Sequence, residues 1–374
     1  MKTLLSHRIL ALGLMLAAGV LPVPQAAIAQ LQVDTLGGPS ANATGNQKAL
    51  DQLFREGRKL TNSGNIAGAI AVYQQAAQLD QRNPKIYSGI AYLQANQGNF
   101  AAAVNSYQQA LALEPNNAEF LYGLGYSYAG IGRYNEALNA YQRAVTFNPR
   151  HENANLAIGV LLARQGKYNE ALTTYRKVAS FAPQSFKAQE LQGTALIQMK
   201  RPFEAFTPLQ EAARLEPRQA IVRVHIVTAW LQLRDYAKAM RSFDKAMELE
   251  PRNPAIFLQS AKALEVANYL AEAMQFYQRA IALQPRSAAA QAGVGDIYFK
   301  QQNYSSAVNL YRTALSYDPN LADAQLGLGK ALKALGRKQE AIQALQQART
   351  LLGRDTDPGD RAQEVETLLK ELKK

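Results

Sequence analysis

The sequence contains no cysteine, so disulfide bonds, a cysteine-linked lipid anchor, iron–sulfur clusters and thiol catalysis are excluded. Histidine is scarce too: the three histidines in 374 residues (His7, His151 and His225) exclude a His-rich metal site. A net charge of +12 is spread along the chain, whereas a nucleic-acid groove clusters its basic side chains and interleaves them with aromatic rings. We therefore expect no metal, no cofactor and no nucleic-acid partner.

The first 29 residues have the pattern of a Sec-type signal peptide. Lys2 and Arg8 precede an apolar run from Ile9 to Leu21, and Ala27-Ile28-Ala29 supplies an A-x-A end. That run is shorter than the roughly 20 apolar residues that span a bilayer, and no later stretch approaches a membrane span. We expect cleavage after Ala29 and export to the periplasm or an equivalent lumenal or extracellular compartment, the thylakoid lumen included. Cleavage after Ala26 and an uncleaved membrane anchor are the alternatives.

From residue 50 to residue 355 the sequence repeats every 34 residues. A large side chain, most often tyrosine, follows each repeated alanine by four residues, and in most repeats a proline follows eight residues later. Each repeat therefore predicts helix A, a turn that usually contains glycine, and helix B, which the proline ends. In repeat five Lys200 replaces the turn glycine and Pro202 begins helix B. The nine alanines are Ala69, Ala103, Ala137, Ala171, Ala205, Ala239, Ala273, Ala307 and Ala341.

These features resemble the tetratricopeptide repeat, W-x2-L-G-x2-Y…A-x3-F…P, although other residues occupy the tryptophan position here. The resemblance implies an all-α fold, a right-handed α-solenoid (superhelix) of nine helix-turn-helix repeats that bury their apolar faces on one another. A flexible leader of residues 30–49 precedes the array. The predicted repeats are residues 50–83, 84–117, 118–151, 152–185, 186–219, 220–253, 254–287, 288–321 and 322–355.

Residues 356–374 predict a capping helix for the ninth repeat. Ala362, Val365, Leu368, Leu369 and Leu372 form one apolar stripe, with charged side chains opposite. A tail helix that binds a partner is the alternative. We expect the basic side chains of repeat nine to form a solvated face, with contact to an anionic surface as the alternative.

The signal peptide, the repeats and the capping segment leave about 20 residues, too few for a catalytic domain. No HExxH, Walker, G-x-S-x-G or strand-linked G-x-G-x-x-G motif occurs. We expect His151 to lie in a solvated loop between repeats and His225 to be a partly packed ring. The sequence therefore predicts a protein that is not an enzyme.

Members of the resembled family bind partner segments on a concave groove, which helix A lines with positions 2, 5, 9 and 12 of each repeat. Tyrosines that the fold does not itself require fall on these positions in repeats two and three. Rings with a polar tip are favoured at binding surfaces. Ordinary packing between neighbouring helices is the alternative for the same rings. The predicted binding residues are Phe54, Arg58, Tyr92, Asn96, Tyr122, Tyr126, Leu156 and Val160.

The resemblance implies a non-catalytic scaffold or adaptor that binds other proteins through the concave face. Export without cysteine favours a bacterial envelope compartment, where such arrays assist the assembly of larger complexes. A glycan-binding protein, or an accessory protein of a cell-wall or polysaccharide enzyme, is the alternative. Partner identity and oligomeric state are left open by the sequence.

Overall fold

The computed structural model describes residues 45–353 and 359–373, and within these ranges every regular element is an α-helix. The predicted signal peptide lies outside the described residues. The first helices of the nine pairs are α1 Gly45–Asn62, α3 Pro84–Asn96, α5 Ala118–Gly130, α7 Glu152–Arg164, α9 Phe186–Gln198, α11 Ala220–Gln232, α13 Pro254–Val266, α15 Ala288–Lys300 and α17 Ala322–Ala334. The second helices are α2 Ile66–Leu79, α4 Phe100–Leu113, α6 Tyr134–Phe147, α8 Tyr168–Phe181, α10 Pro202–Leu215, α12 Tyr236–Leu249, α14 Leu270–Leu283, α16 Tyr304–Tyr317 and α18 Lys338–Leu352. A single helix, α19 Gly359–Lys373, follows them.

The helices form two compact units that divide inside α7, between Leu161 and Leu162. Within each unit, a helix A packs on its own helix B, and that helix B packs on the next helix A. This tandem pairing confirms the predicted all-α solenoid class. No helix in the described ranges has the length and apolar content needed to cross a bilayer.

The first helix is longer than the sequence predicted. It begins at Gly45, so residues 45–49, which the sequence assigned to a flexible leader, are helical, and residues 30–44 of that leader lie outside the described residues. Gln47 Nε2 donates a hydrogen bond to Asp51 Oδ1 at 3.2 Å, and Leu50 is buried. Helix α1 therefore begins about one turn before the predicted start of repeat one.

Polar caps and prolines set the helix starts. The Asn117 side-chain oxygen accepts hydrogen bonds from the N–H groups of Glu119 and Phe120, both at 3.1 Å, at the start of α5. Pro84 and Pro254 occupy the first turns of α3 and α13, where a missing N–H costs nothing. The sequence thus marks the starts of these helices locally, whereas α6, α8 and α11 begin without a side-chain cap.

The turn between helix A and helix B requires a left-handed residue. Glycine provides it in repeats one to four and nine, for example Gly98 at φ 77°. Repeats five to eight use other residues there: Lys200 (φ 59°), Arg234 (φ 62°), Asn268 (φ 68°) and Gln302 (φ 62°). Each side chain at a left-handed position costs about 1 kcal/mol relative to glycine.

The buried ring of helix B, at position 24, lies between two A helices. Tyr311 illustrates the arrangement: a methyl group added at Gly295 of its own repeat would lie 2.9 Å from its ring, and one at Gly327 of the next repeat 2.6 Å. Both distances are shorter than real carbon contacts, so small residues at positions 8 and 6 of helix A make room for the ring. The ring therefore fixes one repeat against the next.

Helix α19 covers the end of the ninth repeat. Val365, Leu369 and Leu372 are buried against α17 and α18, as the apolar stripe predicted. Polar contacts also hold the helix. Arg361 Nη1 donates to Asp323 Oδ1 at 2.9 Å.

Some basic side chains of repeat nine, which the sequence predicted to be solvated, form ion pairs with carboxylates instead. Lys330 Nζ lies 3.3 Å from Glu364 Oε1, and Lys333 pairs with Glu371. The basic excess of the last repeat is thus matched by the carboxylates of its capping helix, which is why it does not form an unpaired face.

Candidate functional site

The predicted binding residues lie on four A helices of the unit that ends at Leu161. Helix α1 carries Phe54 and Arg58, and α3 carries Tyr92 and Asn96. Tyr122 and Tyr126 are on α5, and Leu156 and Val160 are on α7.

Four of these residues are packed inside the unit. Phe54 and Tyr92 are each 8% exposed, Leu156 is 1% exposed, and Tyr122 is fully buried. The Tyr122 ring lies 5.6 Å from the Tyr141 ring, and Phe54 lies 6.4 Å from Tyr73. The side chains of these four residues therefore form a layer beneath the concave face that was predicted to bind a partner, and not the surface of that face.

The other four residues keep accessible surface. Asn96 is exposed, and Arg58, Tyr126 and Val160 are partly exposed. The Tyr126 ring packs edge-on against Phe100, with ring centroids 5.9 Å apart. Of the three tyrosines in the prediction, Tyr126 is the one whose ring a partner could reach.

Tyrosine hydroxyls are gathered beneath this face. Burial raises the pKa of Tyr107, and the proximity of Tyr122 and Tyr92 raises it further. The Tyr107 hydroxyl is buried and makes no hydrogen bond to any described residue. Burial likewise raises the pKa of Tyr122 and of Tyr126. The hydroxyl groups of Tyr107, Tyr122 and Tyr126 therefore stay protonated and uncharged at physiological pH.

His151 differs from its prediction as a solvated loop residue, because its side chain is only 5% exposed. Its Nδ1 accepts a hydrogen bond from the Ala154 N–H at 3.2 Å, which caps α7. Its ring lies 5.1 Å from that of Tyr122, and its Nε2 lies 3.3 Å from Glu119 Oε1. Glu119 is at position 2 of repeat three, which is one of the groove positions, so it adds a carboxylate to the predicted concave face.

Charged side chains take the groove positions in the unit that begins at Leu162. Glu190, which is 3% exposed, accepts a hydrogen bond from Lys187 Nζ at 2.6 Å, and its other oxygen lies 3.2 Å from His225 Nε2. Burial alone would raise the pKa of Glu190, but the His225 and Lys187 contacts lower it further than burial raises it. His225 is partly packed, as predicted.

A second group of buried charges follows on α13 and α15. Glu265, which is 2% exposed, accepts hydrogen bonds from Tyr277 at 2.7 Å and from Lys300 at 2.6 Å. Tyr311 donates to Asp296 Oδ1 at 2.6 Å. Burial, with the nearby charge of Glu265, raises the pKa of Asp296 to about 7.

The sequence analysis missed these charged residues, although a signal for them exists. Position 9 carries Lys262, Asp296 and Lys330 in repeats seven, eight and nine, which alternates the sign of charge at a spacing of 34 residues. Burial lowers the pKa of Lys262, and the charges of Asp323 and Asp296 oppose that shift. Such alternation at an inward-facing position places acidic and basic side chains of successive A helices near one another.

In the described part of the chain, no group of three histidine or acidic side chains could hold a metal ion. Aromatic rings over a neutral layer suit apolar contacts, and paired charges suit polar ones.

We predict that Asp296→Asn stabilises the protein at pH 8 more than at pH 5. An ordinary aspartate has a pKa near 3.9, so a folded-state value of about 7 means that stability falls as the pH rises between the two values. Asparagine still accepts the Tyr311 hydrogen bond but carries no charge. The gain in the free energy of unfolding at pH 8 should be about 1–2 kcal/mol, after allowance for partial exposure of the side chain.

Urea unfolding at the two pH values measures this difference, with the exposed Asp244→Asn as the matched control. An equal effect of Asp296→Asn at both pH values would contradict the raised pKa.

Comparison with protein-family models identifies the repeats. A model described as "Tetratricopeptide repeat" matches residues 88–152, 124–186, 156–220 and 226–288, which is more than half of the chain. A model described as "TPR repeat" matches residues 57–98 and 295–336, and a further tetratricopeptide repeat model matches 323–351. No curated protein matches the sequence.

Solved structures with the same fold include a tetratricopeptide repeat protein from Parabacteroides merdae. It is 19% identical, with a TM-score of 0.50 over 69% of this chain and 99% of that one. MamA from Desulfovibrio magneticus is 26% identical over 45% of this chain and 95% of its own, with a TM-score of 0.42. YrrB, described as a TPR protein with an unusual peptide-binding site, is 19% identical over 49% of this chain and 95% of its own, with a TM-score of 0.42.

The family models cover most of the described helices, and the helix pairs follow the 34-residue period. The chain belongs to the tetratricopeptide repeat family.

Proposed function

We propose that this protein is a non-catalytic scaffold of the bacterial cell envelope that binds a segment of a partner protein in the concave groove of repeats one to four. Tetratricopeptide repeats are protein-interaction scaffolds. The proposal rests above all on Tyr126, a partly exposed ring held in place by its edge contact with Phe100. Such a scaffold would take part in the assembly of a larger complex.

The buried layer supports this role physically. Tyr92 and Tyr122 cannot rearrange without opening the core, so the surface above them is already ordered before a partner arrives. A preordered surface loses little conformational entropy on binding, and a rigid aromatic side chain contributes much of the affinity of an interface. Arg58 and Asn96 would supply polar contacts at the edge, and Val160 an apolar one.

We predict that Tyr126→Ser weakens partner capture about tenfold, because aromatic side chains at the centre of an interface commonly contribute 1–2 kcal/mol. Crosslinking and pull-down from a bacterial envelope extract, quantified by mass spectrometry, measures the change. The buried tyrosines are left intact, since replacing them would also disturb folding.

The matched control is Phe147→Ser, which removes a ring that is 46% exposed on a helix B of the same unit. Equal capture by Tyr126→Ser and the unchanged protein would contradict the proposed groove. Retention on cell-wall material after all other protein has been digested would support the glycan-binding alternative instead.

We also propose that the chain is exported, on the pattern of residues 1–29. In a bacterium with two membranes we expect the mature protein to begin at Gln30, because the A-x-A end places cleavage after Ala29. Mass spectrometry of the protein from the periplasmic fraction measures its N-terminus. Leu14→Arg, which places a charge in the apolar run, should block export, and mature protein that retains Met1 would contradict the proposal.

A further inference from the structure

A groove of about 430 Å³ lies where the A–B turn of repeat five meets the ends of α11 and α13. Pro202, Leu231 and Ala263 are buried along it, and Val266 and Ala267 are partly exposed. All of these side chains are apolar. The groove is therefore a preformed and largely apolar surface at the A–B turns. It reaches Thr228 and Leu231, at positions 9 and 12 of repeat six, but includes none of the residues predicted for the concave site of repeats one to four.

An aromatic ring stands at the edge of this groove. Phe203, the second residue of α10, is 72% exposed. Leu113, by comparison, is 38% exposed and Phe147 46%. A ring that remains in water beside an apolar groove indicates a surface that is covered in a complex.

The charged side chains that line the groove are all basic, and the other polar lining residues, Thr228 and Gln232, are neutral. Lys200 and Arg234 both line the groove, and no carboxylate lines it. Neither cation forms an ion pair with a described residue, whereas the neighbouring Arg201 is paired with Glu204. The partial burial of Lys200 lowers the pKa of its ammonium group, a cost that a carboxylate nearby would offset.

A groove of similar volume in the other unit shows the contrast. It is about 400 Å³ and is lined by Glu136 as well as Arg143. Arg143 donates to the Pro115 carbonyl, and Glu136 pairs with Arg133. The carboxylate there is paired within the unit and the Arg143 guanidinium donates to a carbonyl, whereas the repeat-five groove holds two cations and no carboxylate.

Both cations also occupy left-handed turn positions, where glycine would be more stable. Glycine in fact serves the same position in repeats one to four. The uncharged Asn268 and Gln302 hold the same left-handed position in repeats seven and eight, so the backbone cost is not tied to charge. In repeats five and six this position places a long basic side chain at the rim of the groove.

From the apolar floor, the exposed ring and the unmatched cations, we infer that this groove binds a peptide segment of a partner protein in which bulky apolar residues are flanked by carboxylates. The apolar side chains lie on the floor beside Phe203, and the carboxylates pair with Lys200 and Arg234. This surface is additional to the proposed concave site, so the array has a second docking surface with its own specificity.

Fluorescence anisotropy of a labelled Glu-Leu-Phe-Glu peptide on the full chain tests the inference. Lys200→Gly combined with Arg234→Gly should weaken binding about tenfold without lowering the thermal midpoint, because glycine relieves both left-handed positions. Loss of affinity therefore cannot be attributed to unfolding. Phe203→Ser should also weaken binding, since it removes the exposed ring.

Gln302→Gly is the matched control, because it relieves the same backbone strain outside the groove and should leave the affinity unchanged. Labelled Lys-Leu-Phe-Lys and Glu-Gly-Ser-Glu peptides should bind at least tenfold more weakly. Binding of the acidic probe should also weaken between 50 mM and 500 mM salt, since exposed charges are screened.

The inference is overturned if the acidic probe does not bind, if the double glycine variant binds it unchanged, or if the lysine probe binds equally well. Binding to anionic phosphatidylglycerol vesicles but not to the peptide would also overturn it. If Tyr126→Ser removes probe binding and the double glycine variant does not, the probe occupies the concave site. That result would support the proposed function while rejecting this second surface.

Discussion

The structure depends on one steric arrangement, the ring of helix B at position 24 held between positions 8 and 6 of two successive A helices. Tyr107 shows how close the contact is, since a methyl group on Gly123 of the next repeat would lie 2.2 Å from its Cζ atom. Every tyrosine in this place has glycine or alanine at position 8 of its own repeat. Position 6 of the next repeat is also glycine or alanine, except after Tyr175, where it is Leu191. Where position 8 is alanine, as at Ala91 and Ala261, position 6 of the following repeat is glycine. Packing within a repeat and packing between repeats therefore share one side chain.

This arrangement also explains the repeats that differ. Leu209 replaces the tyrosine in repeat five, and His225 stands at position 6 of repeat six. His225 contacts Glu190 at 3.2 Å, which forms part of the charged interior of that unit. A smaller side chain at position 24 of repeat five thus accompanies a larger, polar one at position 6 of repeat six.

The sequence predicts the fold well, because the signals for helix, turn and stop lie within each 34-residue repeat. It predicts the site less well, because the same position is surface or core according to its neighbours. Tyr122 and Tyr126 are both at groove positions of α5, yet Tyr122 packs against Tyr141 and is buried while Tyr126 is partly exposed. The exposure of Phe203 likewise follows from a turn geometry that composition and period do not reveal.

The most direct test of this account is a double-mutant cycle between Gly123 and Tyr107, measured as the free energy of unfolding in urea. Gly123→Ala alone should cost about 1–3 kcal/mol, because the added methyl group overlaps the ring. In the Tyr107→Leu background the same substitution should cost little, which gives a coupling of about 1 kcal/mol or more. Additive effects of the two substitutions would contradict the claim that the position-24 ring holds neighbouring repeats together.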